Sequence, residues 1–301
     1  MKKYLNLYID DFMLEKEVSQ WIWIRMIEAY QSVFNLFTES TQVIATDLST
    51  YTTQNFKRYL WDNLIARNWS SWTYNSYRKY LRAYCEYLKN EWYLDENPID
   101  KISKRKVAIQ LPKTLTKKET HELLQKLPQI FDTKTYIWKR NETIVYTYLY
   151  TGLRLSELMN LKFKDLEIHE WYIKVNNWKW NKDRVIPLSQ QLTRNLAKYL
   201  VIRNKDFKDD WNIALFPTAF WNTLQKREMW KMINKLRANL SFYFTWHQLR
   251  HTFATELVRN NFDIFNISKI LGHSKIDTTK IYLSVDTERL KNQLDKITLF
   301  A

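Results

Sequence analysis

Arginine, lysine, histidine and tyrosine are the groups in this 301-residue sequence whose types and spacing could do chemistry. A nuclease built on two metal ions needs grouped carboxylates to hold them, and here Asp and Glu are scattered along predicted helix surfaces. "HQLRH" sets His247 and His251 four residues apart, a spacing that zinc can use, but lacks the acid that a zinc protease places between them. The expectation is therefore no metal site and no cofactor. Phosphoryl transfer without a metal has to meet the extra negative charge of its transition state with fixed cations. Arginine suits this because its planar fork donates two hydrogen bonds to phosphate oxygens and stays charged. A lysine can protonate the departing sugar oxygen, and a tyrosine can attack phosphorus and store the phosphodiester energy in a covalent link. The stretch "VNNWKWNKDRVIPL" (Val175 to Leu188) offers such a lysine, Lys179, in a strand, turn and strand pattern, with Lys182 as its rival.

Four blocks, "TGLRLSEL", the hairpin lysine, "HQLRHTFAT" and "LGHSKIDTTKIYL", run in this order from Thr151 to Leu283. The ordered set resembles the tyrosine recombinases (phage integrase family), most closely the compact bacterial Xer type. Position by position, the resemblance makes Arg154 the first phosphate-binding arginine and Lys179 the general acid. His247 and Arg250 match the His-x-x-Arg pair, Arg250 clamping the phosphate and His247 assisting proton transfer. His273 matches a phosphate hydrogen-bond donor, and Tyr282 the nucleophile that forms a 3′-phosphotyrosyl link. His251 is read as support for the site. Taken singly, each has an ordinary alternative: Arg154 pairing with Glu157 or Glu170, Arg250 as a surface cation, Tyr282 as one of 19 tyrosines in a core.

The same resemblance implies double-stranded DNA as partner, a homo- or hetero-tetramer on that DNA, and a second recombinase or a DNA translocase as further partner. It implies site-specific recombination, with Xer-type resolution of chromosome or plasmid dimers ahead of integration or excision of a mobile element. A DNA-binding relative without catalysis is the reading from another class.

The elements that have to position these groups are mostly helical. "WIRMIEAYQSVFNLF", "LSTYTTQNFKRYLWDNLI" and "TYNSYRKYLRAYCEYLKNE" carry aromatic and aliphatic faces, and Tyr77, Tyr80, Leu81, Tyr84 and Leu88 form one stripe. Arg78, Lys79 and Arg82, on other faces of that helix, are candidates for phosphate contact. Residues 1–102 thus read as a helical domain resembling the family's core-binding (SAM-like) domain. Residues 103–111, basic and weakly patterned, read as a linker. Residues 112–301 read as an α+β catalytic domain, opened by a capping box at Thr116 to Glu119. Strands are expected in "FKDLEIHEWYIKV" and "RVIPLS", and helices in the rest, ending in "TTKIYLSVDTERLKNQLDKI". The fold class is mainly α with a small antiparallel β-sheet.

A formal net charge of +15 points to an acidic polymer as partner. The single cysteine, Cys85, reads as a small buried apolar residue of a reducing compartment. No apolar leader and no uncharged run near the ~18 residues of a membrane span are present, so the expected setting is cytoplasmic with no membrane contact.

Composition adds one anomaly. A chain of this length would carry about 7% Gly, roughly twenty residues, whereas this one has 2 Gly and 14 Trp. Trp178 and Trp180 flank Lys179 where the resemblance expects glycine, and Trp92 and Trp171 sit where turns favour it. The expectation is that many tryptophans, these included, are natural glycines encoded by UGA; the alternative is that Trp178 and Trp180 stack on DNA bases.

Overall fold

The computed structural model describes residues 7–19, 24–41, 48–108, 111–131, 136–176, 183–207 and 213–273. The chain divides into two compact units, Met1–Ile109 and Gln110–Ala301.

The first unit contains α1 (Leu7–Ser19), α2 (Ile24–Thr41), α3 (Thr53–Ala66) and α4 (Ser71–Asn90). Thr52 and Ser70 start α3 and α4 by accepting the backbone N–H groups of Asn55 and Thr73, which satisfies donors that a helix N-terminus otherwise leaves unpaired. The predicted α4 stripe faces inward: Leu81, Tyr84 and Leu88 are fully buried, with Tyr77 and Tyr80 partly so. They pack with Phe12, Phe34 and Phe56 into a core rich in edge-to-face aromatic contacts, such as Phe34 against Tyr84 at 5.0 Å. Cys85 lies in this core, where burial pushes its thiol pKa up. Helix α1 is not among the stretches singled out from sequence, although Ile9, Phe12 and Met13, at i, i+3 and i+4, are its buried residues.

One expectation is corrected here. Arg78 is buried and donates to the carbonyls of Ile102 (2.6 Å) and Ile99 (3.1 Å), so it ties the chain back onto α4. It does not lie on an outer face of α4 as the spacing suggested. Arg82 pairs with Asp100 at 2.6 Å. Within the expected linker, the backbone of Arg105 exchanges two hydrogen bonds with the Asn75 side chain, each 2.9 Å.

The second unit opens with α5 (Lys117–Ile130), whose capping box is formed as expected by Thr116 and Glu119. Helix α6 (Tyr136–Thr151) packs against both α8 (Gln190–Phe207) and α10 (Trp246–Arg259). Between them come the short α7 (Leu155–Asn160) and a three-stranded antiparallel sheet of β1 (Leu166–Glu167), β2 (Tyr172–Val175) and β3 (Arg184–Pro187), in that spatial order. The register sets Ile173 opposite both Leu166 and Ile186, so the period-2 alternation puts all three on the buried face. Helices α9 (Lys226–Asn239) and α11 (Ile264–Leu271) complete the described residues. Ala254, Val258, Ile267 and Leu271 form a small cluster that fastens α11 to α10. The architecture is mainly α with a small antiparallel sheet, as the sequence implies. The expected last helix, from Thr278 onward, lies outside the described residues.

No described helix is long and apolar enough to cross a membrane.

Candidate active site

Two backbone corners and one buried arginine build the site. At the first corner α6 ends at Thr151, Gly152 turns with φ 60°, and Arg154 sits at the N-cap of α7. At the second, α11 ends, Gly272 turns with φ 65°, and His273 follows. The only two glycines of the sequence therefore lie at these corners. At Gly152 a Cβ would run into the Phe253 ring, and at Gly272 it would come within 2.8 Å of the Arg184 guanidinium. Both corners need the left-handed backbone and the empty space together.

Arg250, on the inner face of α10, joins the corners. It is 3% exposed and donates to the carbonyl of Gly152 and, at 2.7 Å, to that of Leu271. Its guanidinium also lies 3.2 Å from Nε2 of His273. Arg154 donates through Nη2 to the carbonyl of Gly272 at 2.6 Å and through Nη1 to Glu157 at 2.8 Å. These bonds bring Arg154, Arg250 and His273 into one cluster although they are separated by up to 119 positions of sequence. His247 lies one turn before His251 on α10, the two rings 4.3 Å apart and edge to face. Lys179, its rival Lys182, and Tyr282 lie outside the described residues.

Two further residues of the cluster had no assigned role from sequence. Glu157 accepts the Arg154 backbone N–H at 2.7 Å, and Arg184 grips it with both terminal nitrogens at 2.9 and 2.7 Å. Burial would raise the Glu157 pKa, but the Arg184 hydrogen bonds and charge, helped by Arg154, hold it at about 2. The available signal was the acid three residues after Arg154, which is a capping-box spacing.

Three guanidiniums against one carboxylate leave the cluster net positive, and the histidines do not add to it. Burial, then the charge of Arg250, then Arg154 and Arg184 lower His273 to about 4; burial, His247 and Arg250 do the same to His251. Burial followed by Arg250 and Arg154 also lowers His247. Their ordinary pKa is about 6.5, so the unfolded chain binds more protons than the folded one between about pH 6.5 and 4. The stability they allow is fully present above that window and declines as pH falls through it. At neutral pH the site is a fixed cationic cluster with neutral imidazoles, suited to a phosphodiester. No group of three or more His, Cys, Asp or Glu able to hold a metal occurs among the described residues.

Residues 113–289 match the phage integrase family, and the chain belongs to that family, the tyrosine recombinases, enzymes that break and rejoin DNA strands. Its relatives include Xer proteins. Tyrosine recombinase XerA of Thermococcus onnurineus is 32% identical over 220 residues, which are 73% of this chain and 74% of that protein. Tyrosine recombinase XerD of Listeria monocytogenes is 32% identical over 219 residues, 70% and 71% of the two chains. The XerH site-specific recombinase bound to a palindromic difH substrate shares the fold, with a TM-score of 0.75, 20% identity and coverage of 96% and 83%. So does the Tn1549 transposon integrase in complex with transposon right end DNA, at 0.72, 17%, 94% and 99%.

Proposed function

We propose that this chain is a Xer-type recombinase that resolves chromosome or plasmid dimers, cutting and rejoining two DNA duplexes within a tetramer. The observation that carries the chemistry is the convergence of Arg154, Arg250 and His273 on one cationic cluster. In this reading the scissile phosphate sits against Arg154 and Arg250, with His273 donating to a phosphate oxygen. The Tyr282 hydroxyl attacks phosphorus as its proton passes to the neutral His247 imidazole, the bond to the 5′ sugar oxygen breaks, and Lys179 supplies the proton that the leaving oxygen takes up. His247 assists proton transfer. The 3′-phosphotyrosyl link is then attacked by a 5′-hydroxyl of the other duplex, which regenerates the tyrosine and rejoins the strands. No net energy source is needed because the diester energy is retained in the covalent link.

The helices of the first unit are assigned to binding double-stranded DNA as a core-binding domain; residues 1–109 carry 15 Lys and Arg against 13 Asp and Glu, so most of the chain's net charge of +15 lies in the second unit. The dimer-resolution role rests on the relatives named XerA and XerD, each matched over more than two thirds of its length. A second recombinase or a DNA translocase would complete the assembly in a cytoplasmic setting.

The test is a supercoiled plasmid carrying two direct copies of the inverted-repeat site nearest the host's replication terminus. The purified chain, alone or with a second recombinase of the same host, is expected to convert it into two smaller circles. Recombination confined to the ends of a mobile element would replace dimer resolution with integration or excision.

A further inference from the structure

Arg184 has no place in the roles above, yet its side chain is only 8% exposed and three of its nitrogens are engaged. It begins β3, separated by Asp183 alone from the segment 177–182 that contains Lys179. Two of its nitrogens grip Glu157, the carboxylate that also holds the backbone and side chain of Arg154. The third donates at 2.8 Å to the carbonyl of Ile270, three residues before His273. One guanidinium thus joins the strand next to the lysine, the helix start that carries Arg154 and the corner that carries His273. We propose that Arg184 is a positioning residue of the recombinase reaction, setting the separation of Arg154 and His273 without touching DNA; this rests on the reading above.

A lysine there keeps the charge but cannot form the fork or reach the carbonyl as well. The experiment is single-turnover cleavage of a nicked suicide substrate at saturating DNA, comparing wild type, Arg184→Lys and Arg184→Ala. Misplacing the phosphate-binding groups is expected to slow cleavage per bound complex on the order of 10- to 100-fold, with DNA affinity within about threefold because many other cations share the phosphate contacts. Added guanidinium is expected to recover part of the rate in Arg184→Ala. A merely structural arginine would instead lower the melting temperature and the amplitude of cleavage, leaving the rate of the molecules that do cleave unchanged. That result overturns the assignment while the recombinase reading stands. A wild type that forms no covalent adduct sinks both.

A separate observation concerns the tryptophans. Seven described residues have a left-handed backbone: Gly152, Gly272, Asn68, Asn261, Trp92, Trp171 and Trp221, the three tryptophans at φ 62°, 63° and 65°. Asparagine and glycine enter this region readily, whereas for a bulky residue it is an outlier. Every position occupied by anything else is a tryptophan. The surrounding hydrogen bonds are those of glycine corners. The N–H of Trp92 reaches back three residues to Lys89 and that of Tyr93 five residues to Leu88. The same pair of bonds ends α3 at Asn68, α10 at Asn261 and α11 at Gly272. Trp221 closes a turn in which its N–H bonds to Thr218 and Thr218 N–H bonds to Asn222, the position where a three-residue hairpin loop takes glycine. Trp171 closes the β1–β2 turn.

Among the tryptophans with ordinary backbone, Trp61, Trp72 and Trp230 are exposed, so exposure does not separate the two groups, while three others have specific partners. Trp246 is buried and donates its indole N–H to the Met229 carbonyl at 3.1 Å, Trp69 lies 4.1 Å from the Tyr77 ring, and the Lys235 ammonium sits 3.4 Å over Trp138. Stacking on DNA would select exposed side chains but not a left-handed backbone. The geometry points to glycine at 92, 171 and 221 in the protein as its own cell makes it, with UGA at those codons read as glycine there and as tryptophan in this sequence. The shortage of glycine and the surplus of tryptophan then have one cause.

The decisive measurement is the gene sequence at the three codons with peptide mass spectrometry of the protein from its native cells. UGA together with glycine at each position is expected; UGG, or UGA with tryptophan in the peptide, overturns the proposal at that position. Independently, Trp92→Gly, Trp171→Gly and Trp221→Gly in the chain as given should each raise the melting temperature by about 2–4 °C, and unchanged or lower values count against it.

Discussion

Arg154→Ala is expected to slow single-turnover DNA cleavage on the order of 100-fold or more, the range seen when one preorganised donor to a developing anion is removed, while DNA affinity falls less than about 10-fold. The asymmetry follows from where the charge is needed. Binding draws on a chain with a net charge of +15, so one lost contact lowers the slope of affinity against salt by about one unit and leaves the rest in place. The transition state concentrates new negative charge on one phosphate, and only the groups already aimed at that point respond to it. Arg154 is a clean probe because its side chain is 41% exposed and its partners keep other contacts: Glu157 remains paired with Arg184. Arg250→Ala should show the same kinetic loss with a larger structural one. Its guanidinium holds the carbonyls at Gly152 and Leu271 from a buried position, and charged hydrogen bonds of this kind contribute about 1.5–3 kcal/mol each. Cleavage and binding falling equally in Arg154→Ala would mean that this arginine only holds DNA.

Much of this site was legible because its signals are local in sequence. The capping box at Thr116, the apolar stripe of α4 and the alternation that buries Ile173 and Ile186 each follow from a short window. Arg154, Arg250 and His273 could be named by motif, but that Arg250 bridges two corners depends on contacts across 98 and 21 positions. No local period encodes such contacts. Arg184 was hidden for the same reason: in "RVIPLS" it reads as an exposed strand start, and only the fold brings it to Glu157, 27 positions away. Arg78 misled in the opposite direction. A cation on a helix next to an apolar stripe looks available, and its burial is caused by the chain returning over α4 at Ile99 and Ile102. The tryptophans were half legible. Turn preferences marked Trp92 and Trp171, whereas Trp221 lacked any signal until its backbone was known.

Tyr282→Phe is expected to abolish the covalent protein–DNA adduct, a loss of at least about 10⁴-fold of the kind that follows removal of a nucleophile. The change deletes one hydroxyl and keeps the ring, so DNA binding should remain at the wild-type level. A nicked suicide substrate, which loses its 5′-hydroxyl fragment after cleavage, traps the adduct as a slow, protease-sensitive band. The reaction should have a pH dependence that binding lacks. A tyrosine hydroxyl ordinarily loses its proton near pH 10, so attack at neutral pH needs a neutral acceptor nearby. The imidazoles of the cluster are neutral there but weakly basic, His273 and His251 being lowered to about 4 by burial and neighbouring positive charge. On the proposed reading, a phosphodiester bound against Arg154 and Arg250 would offset that charge and raise the histidines again, because an opposite charge at close range favours the protonated imidazole. On that reading the site would gain basicity when DNA binds. Cleavage in the bound complex should lose rate on acidification at a higher pH than the free protein's histidines titrate, with the amount of bound DNA unchanged. An adduct formed by the Tyr282→Phe chain would place the nucleophile elsewhere, and its mass-mapped attachment residue would then identify which of the remaining hydroxyls reaches the Arg154–Arg250 cluster.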